Sequence, residues 1–212
     1  MDKFTEFTEL IKAALLSFVD ELEFVFAGDN RYELLINGFL NTLKITAGSL
    51  IVGIIIGIVI AAIRSSYDKN KESMKLHGGL GYVLLSFFNT ICKVYLTVIR
   101  GTPVVVQLMI MYYIIFATSD NSVLVAVAAF GINSGAYVAE IFRSGIMSVD
   151  NGQFEAGRSL GFGYISTMLF IVFPQAFKSV LPALANEFIV LLKETSVAGY
   201  VAIKDLTKGG DI

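Results

Sequence analysis

One cysteine, Cys92, and one histidine, His77, are all that this 212-residue chain contains of either residue. A lone cysteine allows no intramolecular disulfide, and a lone histidine allows neither a His/Cys metal cluster nor an HExxH site. No GxxxxGK[ST] occurs, so the chain lacks the phosphate loop of a nucleotide-hydrolysing subunit. Charge is scarce as well, at 16% of residues, and the net charge of -2 argues against a nucleic-acid partner. The first residues, MDKFTEFTELIKAALLSFVDELEF, have no basic n-region and no small-residue cleavage site, so they do not read as a removable signal peptide. Nothing in the chain calls for a metal or a cofactor.

What fills the space is hydrophobic: 55% of residues, with a mean hydropathy of +0.71. The charges are segregated. None lies between Arg100 and Asp120, between Asp120 and Glu140, or between Arg158 and Lys178, and each gap is nineteen residues long. A helix needs roughly 20 apolar residues to cross a bilayer core. A further charge-free run covers Ile45 to Ile63. This pattern predicts an all-α, polytopic helical membrane protein with four visible spans.

Residues 1–30 form a first segment, in which Phe7, Leu10, Ile11, Leu15, Phe18 and Leu22 recur at rough helical spacing. An amphipathic helix on the membrane surface fits this, and so does a helix packed on the bundle; the sequence does not separate them. The remainder, 31–212, reads as one transmembrane domain. Its first span, about 35–63, carries Gly53, Gly57 and Ala61 at four-residue spacing, a stripe that lets another helix approach closely, here read as bundle packing. Arg64–Lys75 holds four basic residues and reads as a cytoplasmic loop, whereas 118–122 holds none and reads as external. Residues 80–99, interrupted by Asn89 and Lys93, read as an interfacial helix. The second span then ends near 118, the third near 142, and the segment at about 150–163 lands in the cytoplasm. A fourth span, about 164–185, contains Pro174 and Pro182, the latter marking a kink or the end of the span.

The cytoplasmic segment leads into EAGRSLGFGYISTMLFIVFP, residues 155–174. Glu155, Ala156 and Gly157 are followed after three residues by Gly161, and the run closes with Ile171, Phe173 and Pro174. This spacing resembles the EAA loop of ABC importer permeases, with Gly157 in place of the second alanine. Three more segments resemble the polar amino acid importers of that family: RGTPVVVQ (100–107), NSGAYVAEIFRSGIMSVDNGQ (133–153) and NEFI followed by LLKETS (186–196). The four lie in order along the chain.

The resemblance implies the type I ABC importer permease fold. It also implies a multi-pass location in a cell (inner) membrane, in contact with the lipid bilayer. Its expected partners are ABC ATPase subunits, a second permease subunit, identical or related, and an extracytoplasmic substrate-binding protein. It implies a fifth span after Asp205-Leu206-Thr207, which is missing from a chain that stops at Ile212. Glu155, Ala156, Gly157, Gly161 and Pro174 become the ATPase-coupling residues. Asn151-Gly152 can supply a turn before a short helix, Glu155 suits that helix's first turn, and Gly161 can end it at positive φ.

Polar groups at membrane depth usually face a cavity or another helix. Asn133, Tyr137, Glu140 and Ser144 share one face of the third span, and Gln107 lies in the second. For an amino acid substrate, Glu140 or Glu187 can accept from the ammonium, and Asn133, Tyr137 or Thr102 can donate to the carboxylate. Interhelical hydrogen bonds and a Glu140–Arg143 pair are the plainer account of the same residues. Arg100 and Arg143 are expected to snorkel or pair near cytoplasmic ends. A different class, an ATP-independent secondary transporter of small polar solutes, explains the spans but not the EAA spacing. A hydrolase has little support: Gly157–Gly161 spells GxSxG, but no strand precedes it as a nucleophile elbow requires.

Overall fold

The computed structural model describes residues 3–27, 31–77, 79–201 and 203–210, and among them all regular structure is helical. The helices are α1 (Lys3–Ala27), α2 (Arg31–His77), α3 (Leu80–Gly101) and α4 (Val104–Ile110), the last passing into a π turn at Met111–Ile115. There follow α5 (Ser122–Met147), α6 (Asn151–Ser159) and α7 (Tyr164–Thr167), then a second π turn (Met168–Val172) and α8 (Phe173–Glu194). A 3₁₀ turn (Thr195–Val201) and α9 (Leu206–Gly210) complete the described chain.

The centre of the bundle is the contact between α2 and α5, and small residues make it. A Cβ on Gly57 would lie 2.5 Å from Val138 Cγ1 and 2.9 Å from the Ala139 nitrogen, and one on Gly53 2.9 Å from Ser134 Oγ. The fit is reciprocal: a Cβ on Gly131 would meet Val52, and one on Gly135 would meet Ile56. The stripe at Gly53, Gly57 and Ala61 is therefore bundle packing, as its spacing predicts. Along this axis Phe130, Ile45, Leu108 and Leu191 form one buried cluster, and Ala61, Val138, Phe142, Val180 and Leu184 another. Outward faces are apolar and uncovered by the chain itself, as at Ile51, Ile55 and Val59 of α2 and Val83, Phe87 and Val94 of α3. Such surfaces suit lipid, where backbone groups must bond within their own helix.

Among the described residues, four helices are long and apolar enough to cross a membrane: Tyr32–Lys69, Leu80–Gly101, Ser122–Met147 and Tyr164–Val201. The count matches the expectation, but the second span differs. Leu80–Gly101 is a candidate span rather than an interfacial helix, and the expected span ending near 118 is only the short apolar stretch Val104–Ile115. Of the polar residues that suggested an interface, Asn89 is buried with its Oδ1 lacking a hydrogen-bond partner, and Lys93 lies 6.0 Å from the Tyr67 ring centroid. The break falls at Thr102–Pro103, where proline disfavours helix at the residue before it.

The expected loop at Arg64–Lys75 is helical, because α2 runs unbroken for 47 residues. At 1.5 Å per residue that is about 70 Å, far more than the ~30 Å of a hydrocarbon core. α2 therefore extends beyond the membrane as a stalk. Nor does Pro182 break its helix; α8 continues through it to Glu194. α9 is tied back to α2, with Asn41 Nδ2 donating to the Lys204 carbonyl at 3.0 Å and the Leu206 N–H to Thr42 Oγ1 at 3.1 Å. Asp205 caps α9 by accepting from the Thr207 and Lys208 N–H groups. α1 is helical as expected. Its apolar positions stay uncovered, from 40% exposed at Leu22 to 69% at Leu10.

Gly57→Val is expected to lower the unfolding temperature of the detergent-solubilised protein, by an energy of about 1–3 kcal/mol typical of overpacking. Gly101→Ala, whose added Cβ meets nothing within 4 Å, serves as the neutral control. Indistinguishable thermal unfolding curves for the two variants would contradict the α2–α5 contact.

Candidate functional site

The segment after α5 folds into a short helix because both of its ends are capped. Asp150 accepts from the Gly152 N–H at 2.6 Å, so the cap is Asp150; Asn151-Gly152 open the first turn of α6 rather than a turn before it, and Glu155 lies past that turn. At the other end Gly161 adopts φ +84°, as expected, which an L side chain rarely tolerates. Its N–H reaches the Arg158 carbonyl at 3.0 Å, and the Phe162 N–H reaches the Gly157 carbonyl at 3.1 Å. That pair of bonds is the Schellman arrangement that closes a helix.

α6 has two unlike faces. Glu155, Ala156 and Arg158 are exposed, while Gly157 is buried. A Cβ on Gly157 would lie 2.7 Å from Thr167 Cγ2 and 3.0 Å from Ile171 Cδ1, so α6 rests directly on α7 and its π turn. Pro174 follows that π turn at the start of α8. A π turn is a common way to absorb the lost donor and the ring of a helical proline. Gln175 Nε2 then donates both to the Ile171 carbonyl at 2.9 Å and to Gln153 Oε1 of α6 at 3.1 Å. The Ser159 hydroxyl donates to the Glu155 carbonyl within the helix, so GxSxG here is a helix end and not a nucleophile elbow.

The six pathway candidates fall into two groups. Tyr137, Glu140 and Glu187 line one open cavity of about 440 Å³ between α5 and α8, together with Arg100, Ser144 and Ser179. Glu187 is buried, and the Ser134 hydroxyl donates to its Oε1 at 2.7 Å. Glu140 is held by Arg143 Nη2 at 2.6 Å and by Arg64 Nη1 at 3.4 Å. Thr102, Gln107 and Asn133 are elsewhere, in a chain that bridges the α3–α4 break. Gln107 Nε2 donates to Thr102 Oγ1 at 2.6 Å and to the Ile99 carbonyl at 2.7 Å. Asn133 Nδ2 donates to Gln107 Oε1 at 3.0 Å. These three satisfy one another.

Arg100 forms no ion pair among the described residues. It lies one residue before the end of α3, with its guanidinium carbon 5.4 Å from the Tyr137 ring centroid, facing the cavity. Cation–π contacts of this kind hold arginine over the ring face. The sequence signal that locates it is Thr102-Pro103, whose break ends α3 just after Arg100. Arg143, by contrast, pairs as expected.

The family model described as the inner membrane component of binding-protein-dependent transport systems matches residues 79–209. The arginine transport system permease protein ArtQ of Bacillus subtilis is 36% identical over 177 residues, covering 82% of this chain and 73% of the relative. The glutamine transport system permease protein GlnP of Escherichia coli is 37% identical over 148 residues, covering 64% and 68%. A crystal structure of an amino acid ABC transporter with histidines superposes with a TM-score of 0.69 at 36% identity, covering 91% of this chain and 78% of that one. These matches leave an ATP-independent secondary transporter unsupported. Its four candidate spans, its capped helix α6 and a family match covering more than half its length agree: this chain belongs to the family of binding-protein-dependent transport system inner membrane components.

Proposed function

We propose that this chain is the permease subunit of an ATP-driven ABC importer for amino acids, embedded as a multi-pass protein in a cell (inner) membrane. It forms the pathway with a second permease subunit, receives substrate from an extracytoplasmic binding protein, and docks on ATPase subunits through Glu155, Ala156, Gly157, Gly161 and the turn leading to Pro174. The observation that carries this reading is α6: a doubly capped helix with Glu155 and Ala156 exposed on one side and Gly157 seated against α7 on the other. A rigid helix of that kind transmits a push from below into α5 and α8.

In the cavity the charges suit a zwitterion. Arg100 can donate to a carboxylate, and Glu187 or Glu140 can accept from an ammonium group, with Tyr137 in the same lining. Thr102, Gln107 and Asn133 act as struts that hold the α3–α4 break in shape. Helix α1 of the N-terminal segment lies on the membrane surface, its uncovered apolar positions in lipid.

Docking is tested by co-purification from detergent-solubilised membranes with candidate ATPase subunits. Wild type is expected to retain an ATPase, and Glu155→Lys combined with Gly161→Asp to lose it while still inserting. Retention by the double variant would move the docking surface elsewhere.

Transport is tested in proteoliposomes holding the whole complex, with L-arginine, L-glutamine and L-histidine as probes. Uptake is expected to require ATP. Arg100→Ala is expected to weaken apparent affinity about tenfold to a hundredfold, the worth of a charge-assisted hydrogen bond of about 1.5–3 kcal/mol. ATPase association stays intact. An unchanged KM in Arg100→Ala would remove Arg100 from the pathway.

A further inference from the structure

The stalk of α2 touches the coupling helix and the cavity wall at successive residues. Lys69 Nζ donates to Asn151 Oδ1 at 2.6 Å and sits 4.2 Å from the centroid of the Phe154 ring. Asn151 and Phe154 both belong to α6, Asn151 as its first residue. One residue earlier on the stalk, Asp68 Oδ2 accepts from Arg143 Nη1 at 3.4 Å. Arg143 in turn holds Glu140 Oε1 through Nη2 at 2.6 Å and Nε at 3.2 Å. Arg64, one turn back on α2, reaches the other Glu140 oxygen at 3.4 Å. Glu140 lines the cavity.

Adjacent residues on a helix point about 100° apart, as 3.6 residues per turn requires. Lys69 can therefore face α6 while Asp68 faces α5, and the helix between them is stiff. Arg143 is shared between Asp68 and Glu140, so a shift of the stalk changes how firmly Glu140 is held. We propose that Lys69 is a positioning residue that, through Asp68 and Arg143, ties the coupling helix to the Glu140 wall of the cavity. α2 then acts as a second lever beside the direct α5–α6 turn. This rests on the proposed role of α6 in ATPase docking.

The test uses the complete complex with its ATPase, in a Cys92→Ser background with Ser144→Cys as a reporter in the cavity. Ser144 lies one helical turn beyond Glu140 and lines the same cavity. The rate of labelling by a membrane-impermeant maleimide from the cytoplasmic face is compared before and after trapping with ATP and vanadate. Trapping is expected to slow labelling about fivefold or more, the low end of ordinary coupling between sites. Lys69→Met is expected to keep the ATPase bound and to lose most of that change, and Lys69→Arg to restore it. Asn151→Ala, which removes the same bond from the α6 side, is expected to behave as Lys69→Met does.

A wild-type response in both Lys69→Met and Asn151→Ala overturns the lever. So does loss of the ATPase in Lys69→Met, which would make Lys69 part of the docking surface. If Lys69→Met does not insert, Asn151→Ala decides alone. A wild-type complex that holds no ATPase overturns the docking role of α6 and the lever with it, and that result is distinct from a wild type that responds while the variants respond equally.

Discussion

No side chain fits between Gly57 of α2 and Val138 of α5, and the rest of the bundle is arranged around that closeness. In lipid the hydrophobic effect does not drive helices together, because the surrounding chains are as apolar as the side chains; contact area and polar bonds must do so. Glycine at four positions on two helices supplies the area. It brings the α2 and α5 backbones close enough for a Ser49 hydroxyl to reach the Val127 carbonyl, at 3.3 Å. It also sets the depth at which Arg64 meets Glu140 and Asp68 meets Arg143. A looser α2–α5 contact would separate those pairs, which span 76 and 75 residues of sequence.

The same constraint divides polar residues into two kinds. Those at the α3–α4 break bond among themselves, and Gln107 with both Asn133 and Thr102 leaves little capacity for a ligand. Around the cavity the burial is uneven: Arg100 and Tyr137 are both exposed, Glu140 is half-buried, and Glu187 is buried against Ser134. The partly exposed ion pairs at Glu140 are individually weak, since solvent screening reduces such pairs to about 0–1 kcal/mol. Their value here lies in geometry. A bond that is weak in both of two arrangements can be exchanged between them, which a strongly stabilised pair could not be.

Much of this was legible in the sequence. The charge-free runs locate helices, the glycine stripe locates the α2–α5 contact, and Gly161 locates the positive-φ cap, because each depends on neighbours within a few residues. Other features are hidden from a local reading. Counting nineteen uncharged residues after Arg100 hid the break at Thr102-Pro103, although the proline rule marks it. The charge density of Arg64–Lys75 suggested a loop, yet lysine, glutamate and arginine are good helix formers. Lys69 gave no sign of its place, because its partner Asn151 lies 82 residues away and only packing brings them together.

Gly157 joins these threads. The EAA pattern has alanine at this position, and this chain has glycine where α6 lies on Thr167 and Ile171 with no room for a methyl group. Thr167 Oγ1 is itself buried without a hydrogen-bond partner, so the threonine is held there by packing alone. The departure from the pattern is thus a closer seat rather than a weaker motif. A helix pressed against α7, pinned at its start by Lys69 and tied by Gln153 to Gln175, has little freedom to slide over the bundle. On the proposed docking role, force applied to its exposed Glu155 face would pass into α2, α5 and α8 together, and α5 and α8 are the walls of the cavity.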